Sequence, residues 1–488
     1  MPPHGTERIR HDIQYVRFAA DEADPGNRDR VTAMTIPSEP RPYIHRLFWA
    51  ITTACLIALL LCAAASLPFF FESASMWYKS GIDRIMLRSG KVVGLLAACL
   101  LLLQLLWSAR LKVLDQVFGL NTLYTIHQIS GLCIAGLVIL HPVLVLLADD
   151  MLFIPLQIRY FPELLGLFLA VLILGMVLGA VFRPCLGLPY HWWWRLHRLL
   201  AGVILLFLFV HVLFVSETFH SGFPRQLLLT VMGLYILFYA WVKTRFVRIR
   251  RKPYQITAVQ PAGEAAHSIR LKPKATRHSD LKQPKAMDYM PGQFAFVTVK
   301  SSHISGEEHP FTIASSPTRP QDLECIIRSS GDWTRKIENV QPGDRVYLDG
   351  PYGLFTHRRL SPDREIIMIA GGIGITPMLS MLRFMADTQD TRPITLIWSN
   401  KTPQHIIHAQ EIHTLHTQLP KLQIFHLFTA QPGGQRLDQA RLAQLLDGCS
   451  LQAAVFVCGP PKMMNSMHKA LKGIGYPRRS LFMERFSL

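Results

Sequence analysis

The chain has 488 residues, of which 50% are hydrophobic and 17% are charged, whereas soluble chains average about 25% charged residues. Because the hydrophobic residues concentrate in the first half, the sequence predicts a membrane domain followed by a soluble domain. The net charge of +18 includes a basic cluster at 243–252 beside an apolar run. That placement favours a lipid surface, or a solvated linker, over a nucleic acid. The eight cysteines form no CxxC pair, which excludes a zinc site of that type.

Residues 1–44 are polar, charged and proline-containing, and we expect a disordered cytoplasmic tail without a cleavable signal peptide. Six apolar runs follow, each close to the twenty or so residues that a membrane-spanning helix needs. They cover 45–66, 90–109, 123–148, 163–182, 196–216 and 224–243.

Basic residues predict the orientation of these runs. The predicted inner loops carry Arg110 and Lys112, and Arg183 and Arg195. Since loops rich in Lys and Arg stay in the cytoplasm, both termini are expected inside. The loop after the first run disagrees, because it carries Lys79, Arg84, Arg88 and Lys91.

Two apolar runs contain paired histidines. The third run has His127 and His141, the fifth has His197 and His211, and both pairs are fourteen residues apart. Fourteen residues are nearly four helical turns, so the two histidines of a run share one face about 21 Å apart. Both runs point the same way, so one histidine from each meets the other at an inner and at an outer depth. Such pairs suit two bis-histidine haems, although a histidine can also serve helix packing.

Other residues near these pairs have two possible roles, one at a haem and one in helix packing or at the membrane interface. Small residues would let a macrocycle approach or would pack helices closely; they are Gly131, Gly136, Ala201 and Gly202. Arg198 suits a haem propionate or a lipid phosphate. The run 192–194 is three tryptophans, which indicates an interface belt or an electron bridge. Structural or interfacial roles are expected for His45, His191 and His220.

The soluble half shows two patterns. Residues 254–353 contain six short strand-like runs, which predict a small antiparallel barrel. Residues 365–488 alternate buried strands with helical segments, which is typical of a doubly wound α/β domain.

Three motifs lie in these domains. The Gly-rich segment 371–377 follows a strand and opens a helix, a pattern that suits a pyrophosphate or only a tight turn. The segment 309–312 (HPFT) is expected to open a barrel strand, and Thr312 is a site residue or an ordinary strand hydroxyl. The segment 458–461 (CGPP) ends a late strand, where Cys458 is a site residue or a buried thiol.

With GDWT at 331–334, GPYG at 350–353 and Phe486, these features resemble the NADPH oxidase/ferric reductase family, especially its compact bacterial members, over about 45–488. The resemblance implies a six-helix ferric-reductase-like transmembrane bundle over 45–243 and a ferredoxin-reductase-like module. That module comprises an antiparallel β-barrel FAD domain over 253–360 and a doubly wound α/β NAD(P)-binding domain over 361–488. It also implies a bacterial inner-membrane protein whose FAD and NAD(P) domains are cytoplasmic.

The resemblance assigns roles to individual residues. The flavin is expected to contact His309, Pro310, Phe311 and Thr312, and its phosphates Arg328, Gly331, Trp333 and Thr334. Phe486 is expected to shield the flavin, although Ser487 and Leu488 follow it. The nicotinamide cofactor is expected at Gly371, Gly372, Gly374, Thr376, Pro377, Cys458, Gly459 and Pro460. The implied catalytic residues are Thr312, Cys458 and Phe486.

The implied function is electron transfer from NAD(P)H through FAD and two b-type haems to an outer acceptor. Oxygen, giving superoxide, is the favoured acceptor, and a ferric chelate, a quinone or a periplasmic protein is the alternative. Val145 stands where some oxidase relatives place a histidine, which weakens the assignment of oxygen. Lys401 favours NADPH, whereas Asn400 suits NADH. No obligatory protein partner is expected. A channel or transporter with a nucleotide-sensing domain is a distant alternative. The spans of such a protein would be broken by charges, Gly or Pro, whereas these runs are continuous and apolar and carry paired histidines.

Overall fold

The structure is a computed structural model that describes 43–151, 154, 157, 160–250, 252–275, 286–431, 434 and 436–485. The predicted tail, 1–44, lies outside these residues except for its last two, which begin the first helix.

The first half is a helical bundle. Its helices are α1 (Tyr43–Phe70), α2 (Ala74–Trp77), α3 (Gly81–Ser108), α4 (Lys112–Phe118), α5 (Leu120–Ala148), α6 (Phe161–Phe182), α7 (Tyr190–Val215) and α8 (Gly222–Arg250). Among the described residues, six of these helices are long and apolar enough to cross a membrane, which confirms the six predicted runs. The sixth continues beyond the predicted end at 243 through most of the basic cluster.

The basic residues after the first run lie mainly within α3, not in a loop as predicted. Arg84 and Arg88 both contact Glu72, with Arg84 Nη2 at 2.9 Å from its carboxylate. Lys79 lies 2.9 Å from Asp149. These carboxylates balance the positive charges of Lys79, Arg84 and Arg88 locally.

Helix α3 packs along α5, and α6 packs along α7. Apolar side chains from these four helices form the centre of the bundle. The buried ones are Leu101, Ile134, Leu169, Ile173, Ile204 and Leu208.

The second part is a six-stranded antiparallel sheet with spatial order β4-β3-β6-β1-β2-β5. Its strands are β1 (Tyr254–Pro261), β2 (Ala266–Pro273), β3 (Phe294–Lys300), β4 (Glu308–Thr312), β5 (Leu323–Arg328) and β6 (Arg345–Tyr352), and α9 (Asp332–Arg335) follows β5. The HPFT segment forms the last four of the five residues of β4, so it lies in a barrel strand and begins one residue after the strand does. After Thr312 the chain leaves β3 and the Ala314 amide donates to Glu324, beside β5.

The third part is a five-stranded parallel sheet with order β11-β10-β7-β8-β9. Its strands are β7 (Ile366–Gly371), β8 (Ile394–Asn400), β9 (Leu422–Phe428), β10 (Ala454–Cys458) and β11 (Leu481–Glu484). Its helices are α10 (Thr376–Asp387), α11 (Ala409–Gln418), α12 (Gln439–Leu445) and α13 (Pro461–Ile474). The strand order reverses between β7 and β10, where ligands bind in such sheets.

The bundle and the barrel share an apolar cluster. Buried Trp107, Leu120 and Leu123 from the helices pack with Phe294, Phe296 and Tyr352 from the sheet. The barrel is therefore seated on the end of the bundle that carries the α3–α4 loop.

Candidate functional site

The two histidine pairs face each other between α5 and α7. The ring centroids of His127 and His197 are 6.1 Å apart, and those of His141 and His211 are 6.5 Å apart. Two imidazoles on opposite sides of one iron have centroids roughly 6 Å apart, because each nitrogen lies about 2 Å from the metal and each centroid about 1 Å farther. Both pairs have this spacing.

A hydrogen bond orients one of the four histidines. Nδ1 of His141 donates to the Gly90 carbonyl at 2.8 Å, which leaves Nε2 free to bind a metal. The Nδ1 atoms of His127 and His197 are buried, and no described residue gives them a hydrogen-bond partner. The described residues contain no cluster of three or more metal-ligating side chains, but a haem needs only two protein ligands.

Two glycines that sequence reasoning missed adjoin the outer pair. A Cβ at Gly94 on α3 would come within 2.8 Å of the His141 ring, and a Cβ at Gly166 on α6 would overlap His211. By contrast, a Cβ at Gly136 or Gly202 would have open space within 4 Å. The missed glycines lie on neighbouring helices, so no spacing within α5 or α7 reveals them.

Aromatic and basic side chains surround the inner pair. The Trp193 ring lies 5.7 Å from that of His197, and a Cβ at Gly179 would approach it to 2.8 Å. The Arg198 guanidinium lies over Trp194 at 4.3 Å. Trp193 is thus a packing neighbour of an inner histidine.

Charged groups join this end of the bundle to the barrel. Arg110 Nη1 lies 2.8 Å from Glu308 and 3.6 Å from Asp349, and its guanidinium covers Phe296. Arg245 contacts the same Asp349. Because Glu308 begins β4, the ion pair leads directly to HPFT.

The HPFT residues pack around Trp333. The His309 and Trp333 ring centroids are 4.4 Å apart, and Phe311 stacks on Trp333 at 5.9 Å. Burial lowers the pKa of His309, while Glu307 and Glu308 oppose the shift. Pro310 is part-exposed and Thr312 is buried. The structure therefore brings HPFT and GDWT together.

The hydroxyl of Thr334 accepts from the amides of Ser330 and Gly331 at 3.0 and 2.8 Å, which caps the short helix α9. The Arg328 guanidinium reaches the glycine-rich turn, where a Cβ at Gly372 would be 3.4 Å from its Nη1. Arg328 thus links the end of the barrel to the glycine-rich turn.

The glycine-rich turn and CGPP are in direct contact. A Cβ at Gly374 would overlap the Cys458 carbonyl, and one at Gly459 would lie 3.1 Å from Gly371. Gly372 has φ +54° and its carbonyl accepts from the Trp398 indole at 3.0 Å. Glycine is required here because two backbone segments meet at the point where strand order reverses.

The remaining motif residues hold this arrangement. Thr376 Oγ1 donates to the Ile373 carbonyl at 3.1 Å, and Pro377 lies in the first turn of α10. A Cβ at Gly371 would approach Pro460 to 2.8 Å. Cys458 is fully buried, and burial, with Glu484, raises the pKa of its thiol.

A cavity of about 390 Å³ opens beside these segments. Its lining includes Arg328, Gly371, Gly372, Ser399, Asn400, Lys401, His405, Arg436, Pro460 and Lys462. Asn400 is 4% exposed, yet neither polar atom of its amide has a hydrogen-bond partner among the described residues. A buried unpaired amide at a basic cavity is poised for a polar ligand.

A carboxyl pair adjoins GPYG. Asp115 on α4 accepts from the amides of Leu120 at 3.0 Å and Gly353 at 3.1 Å. A Cβ at Gly353 would be 3.8 Å from Glu484 Oε2. Burial raises the pKa of Asp115 to about 6, and burial with the Asp115 charge raises that of Glu484 to about 8. Sequence reasoning missed both residues. Phe486 lies outside the described residues.

Three family models match this chain in order. "Ferric reductase like transmembrane component" matches 93–216, "FAD-binding domain" matches 264–356, and "Oxidoreductase NAD-binding domain" matches 368–469. The chain is therefore a membrane-bound, FAD- and NAD-dependent electron-transfer oxidoreductase. Its domain arrangement is that of the NADPH oxidase/ferric reductase family, which confirms the resemblance.

Curated relatives match just under half of the chain. The reductase component of propane 2-monooxygenase from Mycolicibacterium smegmatis is 27% identical over 248 residues, covering 48% of this chain and 67% of that protein. The glycine betaine monooxygenase reductase subunit of Chromohalobacter salexigens is 29% identical over 220 residues, covering 42% of this chain and 58% of that protein. A flavohemoglobin structure from Malassezia yamatoensis is 17% identical, with TM-score 0.44, 84% of this chain covered and 99% of that chain.

Proposed function

We propose that this protein carries electrons from cytosolic NADPH, through FAD and two b-type haems, to oxygen on the other side of the membrane. The observation that carries the proposal is the stacking of two facing histidine pairs behind a flavin and nicotinamide module. When bound, the nicotinamide supplies a hydride, FAD divides its two electrons, and the haems carry them singly. The side chains of this protein would bind and orient the nicotinamide, the FAD and the haems.

His127 and His197 hold the inner haem, and His141 and His211 hold the outer one. The spacing of both pairs supports this assignment, as does the Gly90 carbonyl that orients His141. Gly94 and Gly166 leave the outer imidazoles room to lie against α3 and α6.

The orientation follows from the charges. The basic end of α8 and the α3–α4 loop lie beside the barrel, which under the positive-inside rule supports a cytoplasmic location for the soluble domains. This supports an inner-membrane protein with 45–243 in the membrane, and with 253–360 and 361–488 outside it. The inner histidine pair is then nearer the flavin.

The flavin is held by His309, Pro310, Phe311 and Thr312, with Arg328, Gly331, Trp333 and Thr334 beside its phosphates. The contact of Trp333 with His309 and Phe311 supports one continuous flavin wall. Thr312 is assigned a contact near the reactive ring of the flavin, and Phe486, which lies outside the described residues, is assigned the role of shielding the flavin face. Cys458, Gly459 and Pro460 meet Gly371, Gly372 and Gly374 where the nicotinamide enters, and Thr376 and Pro377 support that turn.

The preference for NADPH is supported by the charge of the nucleotide cavity. Lys401, Arg436 and Lys462 line it, and the unpaired Asn400 amide lies next to Lys401. A 2′-phosphate adds negative charge that these cations stabilise. Lys401→Ala should raise the KM for NADPH about tenfold and leave the KM for NADH nearly unchanged. Equal changes for both cofactors would contradict the preference.

Oxygen is favoured over a ferric chelate because three carboxylates at the proposed outer ends of the helices already have partners and are not free to bind iron. Glu72 is paired with two arginines and Asp149 with Lys79. The Glu217 carboxylate accepts from the Ser75 amide at 3.1 Å. Hard Fe³⁺ prefers carboxylate oxygens, and these three are already engaged.

The test is turnover of the purified, haem-loaded protein with NADPH. Superoxide is measured by cytochrome c reduction with and without superoxide dismutase, and ferrous iron by a colorimetric chelator under nitrogen. We expect dismutase-sensitive reduction to exceed ferric reduction at saturating acceptor. A higher ferric rate would replace oxygen by the chelate, whereas the absence of NADPH-driven haem reduction would overturn the pathway.

A further inference from the structure

A second cavity lies on the side of the α/β domain opposite the nucleotide. It encloses about 240 Å³. Its walls are the turn at 357–359 with Leu360 and Pro362, the end of α10, and the loop before β8. Because β7 and β8 start at this edge and carry the glycine-rich turn and Asn400 at the other, this cavity is separate from the nucleotide crevice.

Three buried nitrogens on the lining residues have no hydrogen-bond partner among the described residues. They are His357 Nδ1, Arg358 Nε and Arg392 Nη1. His357 is 1% exposed, so water does not substitute easily for a missing partner. Buried polar groups are nearly always paired, and three unpaired ones around a single cavity indicate a ligand with several acceptor oxygens.

The two arginines are held in place. Asp390 binds Arg392 through Nε and Nη2, each at 2.8 Å, and leaves Nη1 without a partner among the described residues. Arg358 lies over the Phe384 ring at 5.5 Å. Burial, and then the charges of Arg392 and Arg358, lower the pKa of His357, so this imidazole is neutral and supplies a single N–H donor.

The charge of the lining favours an anion. Two arginines and one aspartate line the cavity, and the next residue, Arg359, adds a further cation. Burial and the charge of Arg46 lower the pKa of Arg359 to about 10, which leaves it charged at neutral pH. Arginine forks match phosphate oxygens well.

The position relative to the bundle indicates where the anion comes from. Arg359 lies within electrostatic range of Arg46 in the first turn of α1, whose Nη2 donates to the Val117 carbonyl at 2.9 Å. Leu354 lies against Gly119, where a Cβ would be 3.2 Å from its Cδ1. The turn that forms the cavity thus lies at the inner ends of the helices, where lipid headgroups are found under the proposed orientation.

We propose that this cavity binds a phosphate group, supplied in the membrane by the headgroup of an anionic phospholipid. Arg358 and Arg392 donate to its oxygens, as does His357 in the tautomer that carries its proton on Nδ1. A phosphate held there attaches the α/β domain to the bilayer surface. Such a lipid contact lies outside the electron path.

The experiment counts bound lipid on the full-length, haem-loaded protein in neutral detergent by native mass spectrometry. The probes are dioctanoyl-phosphatidylglycerol, dioctanoyl-phosphatidylcholine and inorganic phosphate as a competitor. We expect saturable binding of one phosphatidylglycerol per chain, at least tenfold weaker in Arg358→Gln. Arg270→Gln, an exposed arginine on β2, is the matched control and should bind as the wild type does.

Arg358→Lys keeps the charge and should recover part of the affinity, which separates ligand binding from misfolding. NADPH oxidation with an artificial acceptor should be unchanged in all three variants. Equal lipid binding in wild type and Arg358→Gln would overturn the site. Displacement by submillimolar inorganic phosphate, or equal affinity for phosphatidylcholine, would overturn the anionic-lipid source. The readout does not depend on electron transfer, so a failure here is distinct from a failure of the proposed function.

Discussion

Arg110, in the loop after the second membrane helix, lies 2.8 Å from Glu308 at the start of the strand that ends in HPFT. The two residues are 198 positions apart and both are mostly buried. The ion pair ties the inner end of the bundle to the proposed flavin wall, so it should set the distance between flavin and inner haem.

Arg110→Gln should slow flavin-to-haem transfer at least about tenfold, because breaking a buried pair costs about 3 kcal/mol and leaves Glu308 uncompensated. Anaerobic stopped-flow absorbance follows the flavin and Soret bands separately after NADPH is added. Flavin reduction should keep its rate. Arg345→Gln, at an exposed position on β6, is the control. Unchanged haem reduction in Arg110→Gln would show that the pair does not govern the transfer.

His211→Ala should retain roughly one haem per chain where the wild type has two, because only the outer pair loses a ligand. Haem is measured by the pyridine haemochrome assay and FAD by its fluorescence after release. FAD content should not change. His220→Ala, an exposed histidine beyond the end of α7, should keep both haems. Full haem content in His211→Ala would refute the assignment.

Gly374→Val should abolish most use of the nicotinamide, since a Cβ there meets the Cys458 carbonyl and separates the two loops. NADPH oxidation with an artificial acceptor should fall more than about tenfold. The bound flavin spectrum should remain, because HPFT and GDWT lie in the barrel. Loss of flavin together with activity would instead indicate that the whole module misfolds.

Glu484→Gln should change how stability depends on pH. The pKa of Glu484 is raised from 4.5 to about 8, so between these values the folded protein keeps a proton that the unfolded chain has lost. Its contribution to stability is therefore full below the unfolded value and falls as pH rises through this window.

A glutamine at this position does not titrate. The difference in Tm, variant minus wild type, should therefore increase by roughly 5 °C between pH 5 and pH 8.5. Differential scanning fluorimetry measures both curves. Asp115, with a pKa of about 6, should preserve a smaller slope below that pH in both proteins. Parallel curves over the whole range would contradict a buried, protonated Glu484.

The sequence predicts features that follow local periodicity. The six membrane helices, the two folds of the soluble half and the pairing of His127 with His197 all depend on regular spacing. HPFT begins one residue later than the strand that it was expected to open, because the bounds of β4 depend on where its partner β3 starts and stops pairing. The edge strand β11 has only four residues and gives little periodic signal.

Long-range contacts explain what was missed. Asp115 is 238 residues from the Gly353 amide that it accepts from, and it lies on a seven-residue helix that apolar runs do not reveal. Gly94 and Gly166 matter only because α3 and α6 pack beside the outer histidines. Nothing in the local sequence of either glycine indicates a histidine neighbour.

The most direct test of the central claim uses oriented proteoliposomes of the full-length protein. NADPH is added on the side of the soluble domains, and a membrane-impermeant acceptor is enclosed on the other side. The enclosed acceptor should be reduced by the wild type, and His197→Ala should stop this while flavin still oxidises NADPH with an artificial acceptor. Reduction confined to the side of the soluble domains would contradict transmembrane electron transfer.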